Sequence, residues 1–186
     1  MKLYIKNMVS LRSKMVVRAE LEKMKLMHTH VELGEVEIMD NLSAAKYDEL
    51  KAALFKSGLE LMDDERAILI ERIKNVIVEM VHYADELPKV KFSVYLSEKL
   101  KQDYQQLANL FSEVKGITIE HYIIIHKIER VKELIIYDEL SLGEIAYQLH
   151  YSSVAHLSAQ FKKMTGLTPS FFKKLKHKKR IPLENL

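Results

Sequence analysis

Hydrophobic and polar positions alternate with a period of two at the start of the chain. Residues 2–8 place Leu3 and Ile5 on one side and Lys2 and Lys6 on the other, which predicts a strand. Residues 10–27 then carry Leu11, Met15, Ala19, Leu21 and Met24 at helical spacing among Arg, Lys and Glu. Residues 28–39 hold Val31, Leu33, Val36 and Ile38 around Gly34, the pattern of two strands about a tight turn. Residues 43–56 are helical again, with Tyr47, Leu50, Ala53 and Leu54 on one stripe and Gly58 as a stop. Residues 59–62 complete the series as a short strand.

Strand-helix-strand-strand-helix-strand is the ferredoxin-like pattern, so residues 1–62 are expected to form an α+β domain. From there the period changes to that of helices. Asp63 and Asp64 are placed to cap a helix over residues 65–83, with Ile68, Ile73, Ile77, Val78 and Val81 turned to a core. Pro88 marks a boundary. Helices follow, with breaks near residues 101–102, 116, 137–141, 150–151 and 166–169. The expected fold class is a ferredoxin-like domain followed by an all-α domain over residues 63–186.

The second half repeats itself at an offset of fifty. Leu107, Phe111, Gly116 and Thr118 return as Leu157, Phe161, Gly166 and Thr168; Tyr122 returns as Phe172, and Leu96 as Ala146. The second copy shows how each part works. Ser141 and Glu144 form a capping box. Leu142, Ile145, Ala146 and Leu149 give one buried face. Residues 150–153 make a turn, and serine there can cap the next helix. Leu157, Phe161 and Met164 bury that helix, and Gly166 ends it. Thr168 caps a last helix with Pro169 at its first position. Two short helices around a tight turn, the second with a polar face left free, are the parts of a helix-turn-helix. A helix over residues 118–137 would be about 30 Å long, close to the ~34 Å between successive major grooves on one side of DNA.

Charge supports a polyanion as partner. Residues 88–186 hold 16 Lys and Arg against 10 Asp and Glu, whereas residues 1–87 hold 13 against 16. Residues 162–180 carry eight basic side chains and no acidic one. Lys173, Lys174, Lys176, Lys178, Lys179 and Arg180 are candidates for phosphate contact. The chain has no cysteine, which excludes disulfides, zinc fingers and thiol nucleophiles. Charged residues interrupt every apolar stretch, so no membrane span is expected. The start of the chain does not read as a signal peptide.

Residues 145–153, 161–169 and Phe172 resemble the AraC-type DNA-binding signature, over roughly the C-terminal half. The resemblance implies a transcription regulator in the cytoplasm that docks two recognition helices on double-stranded DNA. It further implies contact with the transcription machinery, with a homodimer as one arrangement. By position, the first unit would present Gln105, Gln106, Asn109 and Ser112. The second would present Ser153, Val154, Ala155, Ser158, Ala159 and Lys162, with Lys173 and Lys174 beside it. Gln and Asn pair with adenine, and small apolar groups touch the thymine methyl. Family members often carry Arg where Asn109 and Ala159 stand, so the preference expected here leans to A/T. They carry Gly-Phe where His150 and Tyr151 stand, so His150 would be strained if its φ is positive.

The first 62 residues resemble, more weakly, the heavy-metal-associated domain, whose loop reads Met-x-Cys-x-x-Cys. Here Ser10 and Ser13 stand at both cysteine positions, and neutral hydroxyls do not replace thiolates for a soft metal. No metal and no cofactor is expected. His28 and His30, two apart on a strand, have no third ligand near them. The nine methionines read as core fillers. No phosphate loop or catalytic spacing occurs, so an enzyme is not expected. The alternatives are an interaction module that keeps the fold without specific DNA binding, and a metal-handling protein built on the first domain.

Overall fold

The computed structural model describes residues 1–39, 41–84, 88 and 90–178, with the backbone alone for residues 176–178. The chain forms two compact units. The first comprises Met1–Glu79 and Phe92–Gly116, the second Met80–Lys91 and Ile117–Leu186.

The first unit opens with β1 (Lys2–Lys6), α1 (Leu11–Lys23), β2 (His28–Glu32), β3 (Glu35–Ile38), α2 (Ala44–Phe55) and β4 (Glu60–Met62), in the order expected. The strands form an antiparallel sheet in the order β2-β3-β1-β4, with Leu3 opposite Val36 and Ile5 opposite Leu61. One sheet face and the two helices share a core of Leu3, Ile5, Val17, Leu21, Val36 and Leu50 among others. Each such side chain contributes about 1.5–3 kcal/mol by leaving water.

Two details correct the sequence reading. Leu11 and Met15 are 61% and 67% exposed; of the expected stripe α1 buries Leu21, and beside it Val17, which the sequence reading left out. A capping box starts the helix. Ser10 Oγ accepts from the Ser13 amide at 3.2 Å, and the Ser10 amide donates to Ser13 Oγ at 3.1 Å. This reciprocal pair satisfies two otherwise orphaned donors. Methionine is not uniformly a core filler either. Met8 and Met80 are buried, but Met1, Met15, Met27 and Met39 lie open. Met27 and Met39, joined by a backbone hydrogen bond of 2.9 Å, lie just outside β2 and β3, where no layer covers them.

α3 (Glu65–Val78) starts at Asp64, whose carboxylate accepts from the Ala67 amide at 2.7 Å; Asp63 instead accepts from the Tyr47 hydroxyl at 2.5 Å. It buries Ile70, Ile73 and Ile77, and with them two polar residues, Glu71 and Asn75. Asn75 lies against Gly34. A Cβ there would come within 1.8 Å of Asn75 Nδ2, and φ at Gly34 is +79°, so only glycine fits this turn. α3 packs against β1 and against α4 (Phe92–Leu100) and α5 (Tyr104–Lys115) of the same unit. The helix expected to run to residue 83 changes at Glu79–Tyr83 into a π-helical segment. Such a segment often marks a functional position.

In the second unit, α6 (Ile119–Tyr137) is the scaffold. Ile128, Val131, Leu134 and Ile135 pack with residues of α7 (Leu142–Gln148) and α8 (Val154–Thr165). Phe172 of α9 (Pro169–Lys178) meets Phe161 edge-on at 5.6 Å. His82 of the π-helical segment places Nε2 3.1 Å from His126 Nδ1 on α6. Burial lowers the His82 pKa below its ordinary value, against the opposing pull of Glu133.

Candidate nucleic-acid interface

The two candidate recognition helices, α5 and α8, are built alike. Each has two large apolar anchors with no exposure, Leu107 with Phe111 and Leu157 with Phe161. Asp103 caps α5, accepting from the amides of Gln105 and Gln106 at 2.9 and 3.2 Å; Ser153 caps α8, accepting from the His156 amide at 3.1 Å. Gly116 and Gly166 end them with φ of +70° and +77°, each donating to a carbonyl four residues back. Buried apolar residues thus fix one face of each helix, and the opposite face meets solvent.

The exposed face of α5 carries Gln105, Gln106 and Asn109, with Ser112 half-buried. Gln105 Nε2 donates to Asn109 Oδ1 at 2.9 Å, so two of the expected readers are held as a pair. The Gln105 carbonyl and the Asn109 amide nitrogen take no part in this bond, and an amide's acceptor and donor are the groups that adenine edges complement. The exposed face of α8 carries Ser153, Val154, Ala155, Ala159 and Lys162, with Ser158 half-buried. Lys163 is also exposed there; its place in the basic run was the only signal for it. His156 is exposed and bonded through Nδ1 to Ser152 Oγ at 3.0 Å. Lys174 is exposed, whereas Lys173 is half-buried and ion-paired with Asp138. The side chains of Lys176 and Lys178, and all of Lys179 and Arg180, lie outside the described residues.

The turns that aim these helices use a left-handed residue without glycine: φ is +54° at Lys101 and +51° at His150. Downstream of the caps the repeat keeps its offset of fifty. Upstream it slips by one, because the Gln102 amide donates to Ser97 O while the Tyr151 amide donates to Ala146 O. Ala146 therefore corresponds to Ser97, not to Leu96 as the sequence suggested. In the second turn Tyr151 is buried, its hydroxyl donates to Gln160 Oε1 at 2.7 Å, and burial pushes its pKa up to about 12. Lys127 of α6 donates to the Leu149 carbonyl at 2.8 Å and lies 5.4 Å from the centre of the Tyr151 ring; burial lowers its pKa.

Against known proteins, residues 96–175 match the family model described as a helix-turn-helix domain. This part of the chain is a helix-turn-helix domain. Over 70% of the chain it is 26% identical to the probable transcriptional regulator LumQ of Photobacterium leiognathi, and it spans 51% of that protein's length. Two solved structures share the fold. A DNA-binding transcriptional dual regulator from Escherichia coli K-12 superposes with a TM-score of 0.51 at 16% identity, over 60% of this chain and 94% of that one. The C-terminal domain of AraT, a response regulator from Geobacillus stearothermophilus, gives 0.51 at 21% identity, over 66% and 94%. Among the described residues, no group of three or more His, Asp and Glu is placed to hold a metal ion, and no helix is long and apolar enough to cross a membrane.

Proposed function

We propose that this chain is a transcription regulator of the cytoplasm that binds double-stranded DNA through α5 and α8. The observation that carries the reading is the repeated design of the two helices. Each is anchored by a buried Leu and Phe, capped at both ends, and left with an open face of groups suited to base edges or phosphates. LumQ, a probable transcriptional regulator, is the relative that supports it by sequence. α6, 19 residues and so about 28 Å long, has a length close to the ~34 Å between successive major grooves. Contact with the transcription machinery follows from regulation, and a homodimer is a further arrangement of the same reading.

In this reading residues 1–62 are a ferredoxin-like module of heavy-metal-associated descent, and residues 63–186 are the helical module. The first compact unit spans both, which ties the sheet to α4 and α5. The residues present do not suit a soft metal. Ser10 and Ser13 spend their hydroxyls on the cap of α1, and hydroxyls are poor soft-metal donors. The module is therefore assigned a sensing or partner-binding role.

A gel shift of the full chain on selected and on scrambled duplexes, at physiological salt, tests the proposal. Preferential retention of the selected duplex is expected. Equal retention of both would leave a domain of this fold without sequence-specific binding.

A further inference from the structure

Within the first unit, a cavity of about 470 Å³ lies between β4, the start of α3 and the end of α5. Its volume is within the range of small-molecule sites, roughly 300–1,000 Å³. A second cavity beside Asn75, of about 270 Å³, is below it. The larger cavity has apolar walls in Leu61, Ile70 and Val114. Glu71 also lines it, and its residue is 95% buried, at 5% exposure. One carboxylate oxygen, Oε1, is 2.6 Å from Lys74 Nζ. The other, Oε2, is buried with no hydrogen-bond partner among the described residues. A buried carboxylate oxygen left unmatched is costly, so a donor that reaches it is favoured.

Most other charges around the cavity are already engaged. Lys6 pairs with Glu60 at 3.1 Å, Asp63 accepts from Tyr47, and Asp64 caps α3. Among the described residues, Glu71 Oε2 remains as an acceptor, and the exposed Lys51 and Lys115 remain as cations. We infer that this cavity is a binding site for a small apolar amino acid. Its ammonium group donates to Glu71 Oε2, its side chain lies on Leu61, Ile70 and Val114, and its carboxylate faces Lys51 and Lys115. Val114 and Lys115 form the last turn of α5. A ligand held here therefore steadies the end of the first recognition helix, and this consequence alone rests on the DNA-binding reading.

The site is tested by calorimetric titration of the full chain, free of DNA, with leucine and phenylalanine. The corresponding amines lacking the carboxylate, and the acids lacking the amine, serve as comparison arms. Saturable heat is expected with the amino acids, weaker binding with the amines and none with the acids. Glu71→Gln is expected to weaken binding roughly tenfold or more, and Ala67→Met, which fills the lining, to abolish it while the chain stays folded by circular dichroism. No saturable heat from any arm at millimolar concentration, or equal binding by Glu71→Gln, overturns the site. A gel shift on the same preparation keeps the two claims apart. A chain that binds DNA and no amino acid refutes the cavity alone, and one that binds the amino acid and no DNA refutes the regulator alone.

Discussion

The two helix-turn-helix units share a frame and differ in what they show to solvent. In both, a Leu and a Phe without exposure anchor the second helix and a left-handed glycine ends it. The first unit is braced by α3, with Arg66 and Glu113 paired at 2.9 Å; the second is braced by α6, with Lys127 holding the turn carbonyl. On the outer faces the likeness stops. α5 carries one Lys and one Glu and offers amides, whereas α8 carries Lys162 and Lys163, no acid, and small apolar groups. The comparison teaches that the buried face is fixed by packing, while the outer face is free to specialise. On this view α5 reads and α8 anchors.

The largest effect should fall on the shared frame. Phe111→Ala and Phe161→Ala are each expected to cost about 3–5 kcal/mol by leaving a cavity in a close-packed site. Denaturant melts of the two variants check this, and a cost under 1 kcal/mol in either would break the equivalence. On the faces, Gln105→Ala or Asn109→Ala should cost about 1–3 kcal/mol on the preferred duplex and little on others. Lys162→Ala should weaken binding to all duplexes alike and lower the salt slope by about one. Salt titrations on two sequences separate these behaviours, and a reversal between α5 and α8 would refute the division of labour.

Smaller effects test the ends of the helices. A Cβ at Gly116 or Gly166 meets no atom within 4 Å, so Gly→Ala at either should cost only the left-handed backbone, about 1 kcal/mol, equally in both. His150→Gly should gain a similar amount, read from the thermal midpoint. Acid should act on the second unit first. The His82 pKa is lowered in the fold, so its neutral form is favoured there. The stability it lends is present above the ordinary histidine pKa, near 6.5, and is lost as pH falls through the lowered value. Hydrogen exchange of α6 amides against pH should show this, and His82→Gln should flatten it.

Much of this was legible from spacing. The order of the first six elements, the helical second half, the caps at Ser141 and Thr168, and the anchors Leu157 and Phe161 all follow from local pattern. What was hidden depended on contacts distant in sequence. Nothing near Glu71 or Asn75 marks them as buried; they are buried because the sheet and the helices after them close over α3. The exposed face of α1, with Leu11 and Met15, looks apolar in sequence because spacing reports polarity and not which stripe meets the sheet. The slip in the repeat at Gln102 was hidden because one missing residue in a turn does not disturb the offset downstream. Most of the residues named for α5 and α8 lie exposed, whereas Ser112 and Ser158 are half-buried; the Gln105–Asn109 pair and the brace by Lys127 require coordinates.

The central claim is that α5 and α8 are two separate points of contact with one duplex. Hydroxyl-radical footprinting of the full chain on its selected duplex tests it most directly. Two protected patches about 10 base pairs apart are predicted, with Asn109→Ala weakening one and Ala155→Glu erasing the other. A single patch, or one that both substitutions remove together, would contradict the account.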